Sequence, residues 1–121
     1  MGEIVSLAAR RSLCDRFKQA AKLLGQFDYM RFYQAEPVPR EKLVLELQGK
    51  MLDAIQEPGH REKFSPIIHC TLNEIFQFMT VEGAPPPSPQ DIGKANENGR
   101  GLLVARLMEM AQSSGLIPNH Y

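Results

Sequence analysis
The residues of this chain suited to chemistry are three histidines, two cysteines and scattered carboxylates. A thiol beside an imidazole is the start of a nucleophile–base pair, and His69 and Cys70 are neighbours. On a helix, consecutive side chains point about 100° apart, so this ring cannot take this thiol's proton directly. His69 and Asn73 are four apart and share a helical face, which reads as a structural, hydrogen-bonded pair. His60 and His120 stand alone, and no second His or acid lies at helical spacing to complete a metal site. Cys14 and Cys70 are too few and too far apart for a zinc site or a disulfide scaffold. Glu62 and Glu74 are isolated carboxylates rather than a general acid–base pair. The stretch "ENGRG", Glu97 to Gly101, contains glycine but lacks the preceding strand and the lysine of a phosphate loop. It reads as a soft spot or a close helix crossing. The chain is therefore expected to be no enzyme and to hold no metal, nucleotide or other cofactor.

Composition narrows the remaining classes. A chain of 121 residues, 43% hydrophobic and 23% charged, fits one domain over residues 1–121 and can bury a core without staples. Fourteen basic and fourteen acidic residues cancel. Zero net charge argues against a protein whose main work is gripping phosphate backbones. It also does little to keep copies of the chain apart. Two unpaired cysteines suit a reducing, cytoplasmic compartment. The segment "MGEIVSLAARRSL" has no apolar run of signal or membrane-spanning length, so no membrane partner is expected. Gly2 alone, followed by Glu3 and Ser6, is a weak myristoylation context.

The apolar spacing is helical nearly throughout and predicts an all-α bundle of about four main helices. A long first helix runs from about Glu3 to Tyr33. Leu7, Cys14, Phe17, Ala21 and Leu24 form one stripe, with Leu13, Ala20 and Phe27 in a row beside it. Gly25 is the weak point where it bends or divides. Pro37 and Pro39 end it, and a second helix follows from about Pro39 to Gln56 on Leu43, Leu47, Met51 and Ile55. "EPGHR" supplies a break. A third helix is expected to start at the Ser65 cap with Pro66 in its first position, burying Ile68, Leu72, Ile75 and Met79. "EGAPPPSP" carries Pro85, Pro86, Pro87 and Pro89 and cannot continue a helix. It reads as a stiff extended connector that either lets the third and fourth helices pack side by side or holds the fourth helix away from its own bundle. The fourth helix then runs from about Pro89 to Ser113, capped by Ser88 and supported by Asp91. Its expected inner face is Ile92, Ala95, Gly99, Leu103, Leu107 and Met110, and Gly115 closes it.

The segment "FDYMRFY", Phe27 to Tyr33, holds four of the chain's nine aromatics, six Phe and three Tyr. On a continuous helix Phe27, Tyr29, Met30, Phe32 and Tyr33 would spread around nearly the whole circumference. One buried face cannot cover them all, and aromatic and Met side chains are enriched at interface cores. With Leu13, Phe17, Ala20 and Leu24 they form the expected protein interface, rimmed by Arg10, Arg16 and Lys18. The basic run "ARRSLCDRFKQAAK" supports an alternative, a small helical DNA-binding regulator using its first helix. A pocket among Tyr33, Phe64, Phe76 and Phe78 would suit an enzyme or ligand carrier instead.

With "MGEIVSLAARRSLCDRFKQAAKLLGQFDYMRFY" as one long amphipathic helix, the proline spacer and no enzyme site, the whole chain resembles the QslA family. These are small all-helical antiactivators of bacterial quorum sensing. The resemblance implies a homodimer. It also implies a partner, the ligand-binding domain of a LuxR-type transcription activator (LasR-like), bound at the surface that activator uses to dimerise. The activator then cannot bind its promoter, and the antiactivator itself touches no nucleic acid. The resemblance rests on general layout and carries no residue-level motif, so the contact residues are those of the aromatic cluster.

Overall fold
Helix α1 spans Gly2–Lys22, and the chain then tightens into a 3-10 turn at Leu23–Gln26 instead of running on to Tyr33. Gly25 lies inside that turn, and Asp28 starts a separate short helix, α2 at Tyr29–Gln34. The Asp28 carboxylate caps α2 by accepting from the Arg31 amide at 3.0 Å. The computed structural model describes residues 2–117, with side chains over 8–117, so Leu7's side chain, Pro118 and His120 lie outside the described residues.

Helix α3 spans Pro37–Ile55 and starts at Pro37, two residues before the expected Pro39. Both prolines sit in its first turn, where backbone amides have no intrahelical partner to lose. A second 3-10 turn, Pro58–His60, leads into α4 at Arg61–Thr80. The expected start at Ser65 is thus wrong by four residues, and Pro66 lies inside the helix. The reason is Phe64. It is fully buried and meets the Phe17 ring edge-on at 5.4 Å, and it continues the stripe of Ile68 and Leu72 one turn backwards. Burying that ring outweighs the single backbone bond that Pro66 cannot donate. Ser65 does not cap; its hydroxyl accepts from Gln48 Nε2 on α3.

The connector after α4 is clamped at both ends. The Tyr33 hydroxyl donates to the Ala84 carbonyl at 2.7 Å, and Pro87 is buried. Helix α5 spans Pro89–Ser113 as expected. Ser88 and Asp91 form a reciprocal capping box: the Asp91 amide donates to Ser88 Oγ and the Ser88 amide to Asp91 Oδ2, each at 3.1 Å. At the far end Gly115 takes a φ of 80°, and the Leu116 amide returns to the Ala111 carbonyl at 2.9 Å.

Among the described residues all regular structure is helical. The four long helices ring one core in the order α1, α3, α4, α5, each packing on two neighbours, while α2 tucks against α3. Inside lie Phe17, Leu24, Met51, Phe64, Leu72 and Leu107 among others. The connector does bring α4 and α5 side by side. At their crossing a Cβ on Gly99 would stand 2.7 Å from Ile75 Cδ1 and 2.9 Å from Leu24 Cδ1. Of the two readings of "ENGRG", the close helix crossing holds at Gly99.

Candidate interaction surfaces
The residues expected to face a partner mostly face inward. Leu13, Phe17, Ala20, Leu24, Tyr29 and Phe32 are all buried in this chain's own core. This corrects their assignment as interface anchors: a ladder at three- and four-residue spacing marks a covered face, and α3, α4 and α5 of the same chain are the cover. The aromatics converge because the helix breaks. The turn at residues 23–28 re-aims them toward α4, where Phe27 stacks on Phe76 at 4.4 Å with the planes 9° apart. Tyr29 meets the same ring edge-on at 5.6 Å and Phe32 tilted at 5.1 Å. The Tyr29 hydroxyl, pushed up to about 12 by burial, donates to Asn96 Oδ1 on α5 at 2.6 Å. Phe64 and Phe76 are likewise core, so they line no ligand pocket with Tyr33 and Phe78.

The rim divides similarly. Arg16 Nη1 donates to the Ile55 carbonyl at 2.7 Å, the Gln56 carbonyl at 3.2 Å and Glu57 Oε1 at 3.0 Å. It closes the C-terminal end of α3, where Gln56 turns left-handed at φ 58°, and so it is no interface rim. Arg10 is half-buried and Lys18 exposed. Arg11, Lys18 and Lys22 are exposed on one face of α1, with exposed Asp15 among them.

Three of the expected anchors keep surface: Phe27 and Tyr33 are half-buried and Met30 is 38% exposed. Phe27 helps to line a half-open pocket of about 140 Å³ between α3 and the turn that leads into α2. Leu23, Phe27, Leu43 and Leu47 supply its apolar walls, and Asp28, Arg31, Glu46 and Lys50 its charged edge. Leu43, Glu46 and Lys50 come from α3 and carry no signature in sequence. A second, more open groove of about 400 Å³ runs between α4 and α5, past Ile75, Phe78, Ala95, Gly99 and Leu102. Leu102 was the available signal for it, an apolar residue off the expected inner face of α5.

The residues with chemical potential are used as ties between helices. His69 Nε2 pairs with Glu41 Oε1 on α3 at 2.7 Å, and Asn73 Nδ2 approaches His69 Nδ1 at 3.5 Å. Arg106 on α5 pairs with Glu74 on α4 and donates to Thr71 Oγ1 at 3.1 Å. Cys14 and Cys70 are free thiols. Among the described residues no three His, Cys, Asp or Glu gather to hold a metal ion, and no helix is long and apolar enough to cross a membrane. No protein-family model matches the chain, and no curated protein or solved structure matches it.

Proposed function
We propose that this chain is a protein-binding antiactivator that sequesters a LuxR-type transcription activator by covering its dimerisation surface, and that it works as a homodimer. The choice of activator and the dimeric state rest on the sequence resemblance to the QslA family. The observation that supports the contact is the pocket between α2 and α3. Its edge carries both signs of charge around an apolar floor. Interface hot spots are anchors seated in such pockets, with polar groups around them. An activator that must pair to reach two DNA half-sites loses most of its affinity when held as a monomer, so occlusion far from its DNA-binding element suffices.

The test is release of a LuxR-type activator from promoter DNA by the wild-type chain, Leu43→Ala and Lys50→Glu. Leu43 is half-buried and Lys50 exposed, so both variants are expected to fold, as circular dichroism checks. Leu43→Ala is expected to weaken capture by on the order of 2 kcal/mol, about thirtyfold. Lys50→Glu acts mainly on the association rate and its salt dependence. A folded Leu43→Ala chain that releases the activator at wild-type concentration overturns this contact. The same promoter-DNA measurement without activator reports on the DNA-binding alternative, which requires salt-sensitive retention of the chain itself through Arg11, Lys18 and Lys22.

A further inference from the structure
We infer that a second copy of this chain docks on the outer edge of α5, the two α5 helices antiparallel, with Lys94 of each against Glu109 of the other. The inference rests on the homodimer reading above and assigns it a surface separate from the α2–α3 pocket. Lys94, Asn98, Leu102, Ala105 and Glu109 recur at three- and four-residue spacing, which sets them in one stripe along α5. All five are exposed, and the stripe borders the apolar groove against α4. Leu102 is 37% exposed in its middle, the large apolar residue of α5 most open to solvent.

Charge decides the orientation. The stripe is basic at Lys94 and acidic at Glu109, and neither residue is in an ion pair among the described residues. Opposite charges lie one turn away, Asp91 from Lys94 and Arg106 from Glu109, and both make their hydrogen bonds elsewhere: Asp91 accepts from the Ser88 amide and Arg106 donates to Glu74. A parallel pairing of two such stripes sets like against like, whereas an antiparallel pairing sets Lys94 opposite Glu109 twice. In that register Asn98 faces Ala105 and Leu102 faces Gly101 of the second copy. Among the described residues no other element comes within 4 Å of where a Gly101 Cβ would stand, unlike Gly99, whose missing Cβ the helix crossing requires. In this register the missing Cβ of Gly101 leaves room for Leu102 of the second copy.

The experiment is sedimentation or light scattering of the full chain across micromolar concentrations. The wild-type chain is expected to be dimeric. Lys94→Glu or Glu109→Lys alone places like charges opposite each other and raises the dissociation constant about tenfold or more. The double variant restores the dimer. Gly101→Gln, whose Cβ enters open space among the described residues, keeps or raises the monomer's melting temperature and abolishes the dimer. A monomeric wild-type chain overturns the inference, as does a dimer unmoved by these variants. Activator capture is read separately, through Leu43→Ala, so failure of either reading leaves the other visible.

Discussion

Arg16 shows how a charged residue on an amphipathic helix can be used inward. Its guanidinium reaches three oxygens at the end of α3, two of them carbonyls that the helix leaves without partners. Hydrogen bonds from a charged donor are worth more than neutral ones, so Arg16→Ala is expected to cost about 2 kcal/mol, read as a lower urea midpoint. All three contacts fall on Nη1 alone, so the fork itself is not used, and Arg16→Lys, whose ammonium carries three donors, should recover most of the loss. A lysine variant as weak as Arg16→Ala would show that the reach of the guanidinium, not its charge, is what matters. Arg40 does comparable work on α2, donating from Nε to the Phe32 carbonyl at 3.0 Å and from Nη2 to the Tyr33 carbonyl at 2.8 Å. Phe17 lies at the other extreme. It is fully buried, and its truncation is expected to cost about 3–5 kcal/mol of stability, so a loss of binding there would report unfolding, not contact.

At the scale of the element, two identical dipeptides behave differently. Ser88–Pro89 opens α5, while Ser65–Pro66 lies inside α4. Upstream of Ser88 stands a proline run that cannot join a helix. Upstream of Ser65 stands Phe64, whose burial draws the chain into one more turn. The Ser88 cap makes a pH prediction. Hydrogen bonds from the Ser88 backbone and side chain hold the Asp91 carboxyl below its ordinary 3.8. A carboxyl depressed in the folded state stabilises the fold above its unfolded pKa, and that contribution is lost as pH falls through the folded value. The melting-temperature difference between wild type and Asp91→Asn should therefore be full near neutral pH and shrink below about 4. A difference that stays constant into acid would mean that the charged carboxylate contributes nothing beyond the amide.

For the whole molecule, the ring of four helices puts the aromatic cluster of α2 against α4 and ties it to α5 through Tyr29 and Asn96. Burial raises the Tyr29 phenol from 10.0 to about 12, partly offset by Arg100. The neutral phenol is the form the fold favours. Its contribution is complete below the unfolded value of 10.0 and is lost as pH rises toward about 12. Alkaline unfolding in that window, followed by tyrosinate absorbance, should be blunted in Tyr29→Phe, at the cost of leaving Asn96 without its donor. Identical alkaline profiles would place the sensitive group elsewhere.

Local physics made much of this molecule legible from its sequence. Period, cap and breaker act within a few residues of each other, so the all-helical class and the run of α5 from Pro89 to Ser113 follow from the chain alone, while Gly25 marks only a weak point in a helix expected to reach Tyr33. The cover over a stripe does not. Leu13, Phe17, Ala20 and Leu24 have the same spacing whether a partner protein or the chain's own helices lie on them, and "FDYMRFY" has the same composition whether its helix continues or breaks. Leu23 and Phe27 meet Leu43 and Lys50 only because α2 folds back on α3, and Lys94, Leu102 and Glu109 stay in solvent only because α5 turns another face to the core. Burial and exposure depend on contacts between residues distant in the chain, and only the tertiary structure decided those.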